Sequence, residues 1–182
     1  MWTEAPGGDV QEWPSEDGPK VLCYLNLRDK RYDLVWQALK KQGANVLVIS
    51  LSNVPRACEA ARGWGITVIK KPVQLNLLMR NCHAVVAHGG MGLTSMALHA
   101  GKPVLILPEH MEQAILAYRL SRQGLALGTI RRKDKVLLTK KIDQLLNDEE
   151  LRHRTFGFSL RYSTYKPDVA VEKVVSMLTS SA

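Results

Sequence analysis

The sequence is short of most features that would assign a chain to a membrane, a disulfide scaffold or nicotinamide chemistry. Its longest apolar runs, such as 46–49 and 104–107, are far too short to span a bilayer. The three cysteines, Cys23, Cys58 and Cys82, are odd in number and widely spaced, with no CxxC pair. That excludes a disulfide framework and suits a reducing compartment, so a cytoplasmic location is expected. The opening Met1-Trp2-Thr3-Glu4 has no basic or hydrophobic region of the kind a signal peptide needs. Aromatic residues make up only 6%, and no DNA- or RNA-binding motif accompanies the net charge of +8, so nucleic acid is not an expected partner. His83, His99, His110 and His153 lack metal-ligand spacing, and no GxGxxG is present.

What is there suits one ordinary domain: 182 residues, 46% hydrophobic and 23% charged, enough apolar material for a core. Residues 1–19, punctuated by Pro6-Gly7-Gly8, Pro14 and Gly18-Pro19, read as a linker or extended arm before a domain over 20–182. From there apolar runs alternate with amphipathic stretches. The pattern predicts strands at 21–27, 46–49, 66–69, 84–87, 104–107 and 125–130. Helices are predicted at 32–42, 55–62, 75–80, 93–100 and 112–123, then to the end with a break near 165–167. Nearly continuous apolar strands separated by single helices indicate an α/β fold, a Rossmann-like doubly wound parallel sheet of about six strands. Much of the excess charge sits in Arg131-Arg132-Lys133 with Lys135, Lys140 and Lys141. It reads as a solvated helical face, or as a surface for peripheral contact with a membrane or an anionic lipid acceptor. Met79, Met91, Met96 and Met111 read as core filler.

The run that invites a chemical reading follows the fourth predicted strand: His88-Gly89-Gly90-Met91-Gly92, then a helix. Glycines at a strand-to-helix turn let backbone N–H groups approach an anion, which the first turn of the helix also attracts. A tight connection needs glycine without any ligand as well, and His88 can be a turn residue.

The longer string resolves into a known pattern. His88-Gly89-Gly90-x-Gly92, Ala97-Leu98, Gly101-x-Pro103, Pro108 and Gln113 resemble the C-terminal signature of the GT-B glycosyltransferases, the UDP-dependent and antibiotic-modifying transferases. Pro72-Val73-Gln74, Leu77-Leu78 and Ala84-Val85-Val86 upstream, and Gly124 downstream, extend the resemblance. It implies the nucleotide-sugar donor-binding half of a glycosyltransferase moving a hexosyl group to a hydroxyl-bearing acceptor, with a UDP- or dTDP-sugar as substrate. His88 and the amides around Gly89, Gly90 and Gly92, with Thr94, would hold the diphosphate. Pro72, Val73 and Gln74 would face the nucleobase, Val73 through its backbone, with Met96 at the ribose. Glu112 and Gln113 would bond sugar hydroxyls. The resemblance implies no cofactor and no metal ion, because amides and the helix dipole stabilise the leaving diphosphate.

Departures from the pattern are specific. Met96 replaces the glutamate expected at the ribose, Glu112 an aspartate, and Leu93 a threonine, while Leu25-Asn26-Leu27 stands where the family often has a Gly-Ser turn. Glu112 and Gln113 can equally be first-turn residues that complement the helix dipole. The family's general base and most acceptor contacts lie in an N-terminal domain for which this chain has no room. The resemblance therefore implies an acceptor-binding domain in cis, or on a separate subunit, and binding without useful turnover by this chain alone. A non-catalytic nucleotide-sugar-binding module and a GT-B-fold nucleotide-sugar epimerase are the alternatives.

Overall fold

Six stretches rich in valine, leucine and isoleucine pair into one sheet in the computed structural model, which describes residues 9–27, 32–50, 54–128, 135–165 and 167–179. The strands are β1 (Lys20–Tyr24), β2 (Asn45–Ile49), β3 (Thr67–Ile69), β4 (Ala84–Ala87), β5 (Val104–Ile106) and β6 (Leu127–Gly128). The helices between and after them are α1 (Tyr32–Lys41), α2 (Pro55–Gly63), α3 (Leu75–Asn81), α4 (Met91–His99), α5 (Met111–Arg122), α6 (Lys135–Asn147), α7 (Glu149–Arg161) and α8 (Pro167–Thr179). Every pairing is parallel, and the spatial order is β3-β2-β1-β4-β5-β6. The chain thus winds outward from β1 to one edge, then returns to β4 on the other side of β1 and winds to the opposite edge. The C-terminal ends of β1 and β4 meet where the direction reverses, the place where open α/β sheets leave a crevice.

The apolar strands need cover on both faces because alternate side chains point to opposite sides. Val21, Cys23, Val46, Val48, Ala84, Val86 and Leu105 share one face with Trp36 and Leu39 of α1, Ala61 of α2 and Leu138, Ile142 and Leu145 of α6. Leu22, Leu47, Ile49, Val85, Ala87, Val104 and Ile106 share the other with Leu78 and Met79 of α3, Ala97 and Leu98 of α4 and Ala117 of α5. The doubly wound architecture expected from the sequence is therefore present. No helix among the described residues is long and apolar enough to cross a membrane.

Differences lie at element ends. β1 closes at Tyr24 instead of 27, although Leu25 and Leu27 remain buried. α4 starts at Met91, so Gly92, expected in the turn, is helical. β6 spans two residues of the expected 125–130, and 129–134, with the Arg131–Lys133 part of the basic cluster, lie outside the described residues, as does Lys166. Lys135 and Lys140 are exposed on α6. Met79 is buried and Met96 packs against the second core, as expected of core methionines. Met91 and Met111 are instead 57% and 75% exposed. Each is the first residue of a helix, beyond the last strand residue, where neither layer reaches.

The described part of the arm, 9–19, lies along the sheet. Asp9 forms a parallel bridge with Val73, its N–H donating to the Pro72 carbonyl (3.4 Å) and its carbonyl accepting from Gln74 N–H (3.2 Å). Lys71 pairs with the Asp9 carboxylate, Asn45 donates its amide to the Ser15 carbonyl, and Trp13 packs against the second core.

Cys23, Cys58 and Cys82 are free and buried. Burial pushes the Cys23 thiol far up and raises Cys82 to about 11, desolvation outweighing the opposing pull of Lys102 and of Cys82's backbone hydrogen bond. The folded chain therefore holds these protons more tightly than the unfolded chain, whose thiols titrate near about 8.5. Stability is complete below that value and is expected to fall as pH rises from about 9 toward 11, measured by urea denaturation across that range. At pH 8 a disulfide reagent is expected to leave the native thiols unmodified and to modify them once the chain is unfolded. Replacing the fully buried Leu105 with alanine is expected to cost about 2–5 kcal/mol in the same assay.

Candidate functional site at the turn after β4

The four residues of β4 are fully buried, and the chain must turn immediately after them to cover the sheet with α4. Gly89 makes that turn with φ +94°, in the left-handed region. Space demands glycine there as much as conformation does. An added Cβ would lie 2.6 Å from Ile106 Cγ2 and 3.4 Å from Gln113 Cβ. The turn is therefore pressed against β5 and the first turn of α5, which brings Gln113 beside Gly89.

Gly90 is the N-cap of α4, at φ −62° and ψ 134°, and has no side chain to cap the helix. The first amides of α4 thus face the crevice without the usual side-chain acceptor, at the positive end of the helix dipole. The His88 imidazole lies over this N-terminus, its Nε2 3.8 Å from where a Gly90 Cβ would stand, and its ring is 5.9 Å from that of Tyr24. Thr94, one turn into α4, is 2% exposed, and its Oγ1 is buried with no hydrogen-bond partner among the described residues. A buried hydroxyl left unpaired costs about 1–3 kcal/mol, a cost that a hydrogen-bonding ligand at this turn would remove.

Asn26 adds a second such group. It follows β1 between buried Leu25 and Leu27, and its Oδ1 is buried without a partner among the described residues. The Tyr24–Ala87 register places it level with Gly89 across the switch point. The sequence marks Asn26 only as a departure or a turn residue; the signal that could have singled it out is a polar residue between two core leucines.

The other expected residues are arranged less uniformly. Gln113 Oε1 accepts from the backbone N–H groups of Glu109 (2.7 Å) and His110 (3.3 Å), so only its amide nitrogen is left to meet a ligand. Glu112 is exposed on the first turn of α5. Met96 lies on α4 with its side chain packed on the core. Pro72, Val73 and Gln74 follow β3, three strands from β4, or about 14 Å at the usual strand spacing, and on the same edge of the sheet. Because the arm bonds Pro72 and Gln74, the alternation of a parallel bridge turns the N–H and C=O of Val73 to the opposite side. Outside the expected set, Tyr32 donates its hydroxyl to Glu109 Oε1 at 3.0 Å, tying α1 to the β5–α5 loop.

Gly89→Ala tests the packing of the turn. It combines a positive φ with a clash against Ile106, and is expected to destabilise the chain by about 1–3 kcal/mol in urea denaturation.

Comparison with known proteins matches this arrangement to one group. Residues 64–177 match the family described as erythromycin biosynthesis protein CIII-like, C-terminal domain. The NDP-glycosyltransferase YjiC of Bacillus subtilis (strain 168) is 28% identical over 136 residues, covering 73% of this chain and 31% of that protein. The zeaxanthin glucosyltransferase of Pseudescherichia vulneris is 28% identical over 141 residues, covering 75% of this chain and 34% of that protein. The chain thus spans about a third of the length of these relatives. Among solved structures, the calicheamicin glycosyltransferase CalG4 superposes with a TM-score of 0.76 at 18% identity, over 95% of this chain and 46% of that one. The glycosyltransferase VinC in complex with dTDP gives 0.74 at 22% identity, over 93% and 44%. With its glycine turn at the switch point and the family match across most of its sheet and helices, the chain belongs to the erythromycin biosynthesis protein CIII-like C-terminal domain family, and its fold is that of the C-terminal half of a GT-B glycosyltransferase.

Proposed function

We propose that this chain binds the nucleotide-diphosphate portion of a sugar donor, a UDP- or dTDP-sugar, and serves as the donor half of a glycosyltransferase. The observation that carries the reading is the uncapped N-terminus of α4, with His88 above it and the unpartnered Thr94 hydroxyl inside it, at the end of β4. These groups share one property: they can donate to an anion. The first amides of α4 and His88 would take the diphosphate oxygens, and Thr94 would donate to the same group or to the ribose side of it. Val73, with its N–H and C=O turned from the arm, would meet the base edge, and Met96 would stand near the ribose. Gln113 would donate its amide N–H to a sugar hydroxyl oxygen, and Glu112 would accept from another.

The chemistry such a site supplies is stabilisation of the charge that develops on the departing diphosphate. Fixed amides and a helix dipole do this without reorganising as the glycosidic bond breaks. The acceptor and the base that activates it would come from a second domain, in cis or on a separate subunit. A non-catalytic nucleotide-sugar-binding module is a second reading, favoured by Met96, whose side chain packs on the core and offers the ribose no charged acceptor. Sugar transfer by a protein carrying both halves, absent in its His88→Ala form, separates the two readings.

Thermal-shift titration of the chain with UDP, dTDP and GDP tests donor binding. A ligand at a hundredfold excess over its dissociation constant stabilises by about 2.7 kcal/mol, so UDP or dTDP is expected to raise the melting temperature measurably. His88→Ala is expected to weaken the interaction about tenfold or more, the cost of one charge-assisted hydrogen bond. Thr94→Val should act with opposite signs on the two states: the unliganded chain melts at the same temperature or higher, while nucleotide affinity falls several-fold. No shift with any nucleotide at millimolar concentration would count against the reading.

A further inference from the structure

A cavity lies at the far end of α5 from the glycine turn. The twelve residues of α5 separate the two ends by about 18 Å. The cavity has a volume of about 580 Å³ and lies between Gln123 and Leu125, where α5 gives way to β6, and one face of α7. That face carries Arg154, Gly157, Phe158 and Arg161, positions i, i+3, i+4 and i+7 of a helix. The two guanidinium-bearing residues stand two turns apart, about 10 Å along the axis.

Two details point to a ligand. Gly157 sits in the interior of α7, where glycine costs about 1 kcal/mol relative to alanine, yet nothing lies within 4 Å of where its Cβ would be. No packing among the described residues requires the missing side chain; what its absence provides is helix backbone open to the cavity. Arg154 borders the cavity beside the turn that ends α5. Its Nε donates to Glu150 at 2.7 Å, and its guanidinium lies against Gly124, a left-handed residue (φ +68°) at which an added Cβ would stand 2.4 Å from Nη1. Arg161 has no ion-pair partner among the described residues. Phe158 and Tyr162 complete the wall with ring centroids 4.6 Å apart, backed by His99 at 6.1 Å and 6.3 Å.

We infer that this cavity binds a small aromatic acid, a flat ring bearing a phosphate or carboxylate, with the oxyanion on Arg161 and Arg154 and the ring against Phe158, Tyr162 and the bare backbone at Gly157. Guanidinium groups suit both parts of such a ligand, pairing with oxyanions and stacking on ring faces. The exposed Glu150–Arg154 pair is weakly held and yields its arginine readily to a stronger partner. The inference is independent of the donor-site reading.

The test is ¹H–¹⁵N NMR titration of the full 182-residue chain with 1-naphthyl phosphate, with inorganic phosphate as the comparison. The amides of Gly157 and Leu125 are expected to shift and saturate below millimolar 1-naphthyl phosphate, with inorganic phosphate binding at least about tenfold more weakly. Arg161→Gln is expected to weaken binding about tenfold. Gly157→Ala is expected to weaken it as much while melting at the same temperature or higher, since alanine is the better helix former. Shifts confined to residues 88–94, equal affinity for inorganic phosphate, or undiminished binding by Gly157→Ala would each overturn the proposal.

Discussion

Where β4 lies determines most of this molecule. Its four fully buried residues pair with β1 on one side, Val21 to Ala84 through Tyr24 to Ala87, and with β5 on the other. Because the chain reaches β4 only after β2 and β3 have extended the sheet in the opposite direction, the connections leaving β1 and β4 diverge. In the gap between them the N-terminus of α4 faces open space, as at the switch point of other open α/β sheets. Gly89 then follows from packing: the turn must pass so close to Ile106 and Gln113 that any side chain would displace β5 or α5. The anion-attracting geometry is thus a by-product of sheet order, refined by a handful of residues.

Those residues carry a stability cost that the fold does not repair internally. Thr94, one turn into α4, and Asn26, level with Gly89 across the switch point, each bury an oxygen without a partner among the described residues. Most of the core is aliphatic side chains that need only contact, and Tyr32 and Cys82 within it have their hydrogen bonds made. Two unmade hydrogen bonds at the switch point are what the proposed ligand would satisfy.

Much of this was legible in the sequence, and the reasons for the gaps are physical. Strands such as Ala84–Ala87 are readable because burial on both faces demands an unbroken apolar run, and the glycine turn is readable because so many glycines are costly elsewhere. Gly92 was misplaced because glycine marks the chain's freedom and not the point where helical hydrogen bonding begins. The apolar character of methionine suggests core positions for Met91 and Met111; only the layer geometry reveals that a first helical residue overhangs the sheet. The Asp9–Val73 bridge has no local signature, since the two partners are joined only through the completed sheet. The occupied oxygen of Gln113 could not be foreseen either, because a capping amide and a ligand-binding amide are the same residue at the same place in a helix. Gly157 drew no notice in the sequence, since a glycine in a helix becomes informative only when the space beside it is known to be empty.

The bare cap at Gly90 has an evolutionary consequence. Its φ of −62° is available to any residue, and the nearest atom to an added Cβ is a side-chain nitrogen at ordinary contact distance. Gly90→Asp would therefore fit, and as an N-cap it would gain about a few tenths of a kcal/mol by satisfying the amides of α4 from within. It would also place a carboxylate where the proposed diphosphate would sit. Selection for robustness and selection for ligand binding pull this one position in opposite directions. A lineage that lost the need to bind would be free to drift toward the capped, better-folded form, while a chain still holding glycine there has declined an improvement that was sterically open to it.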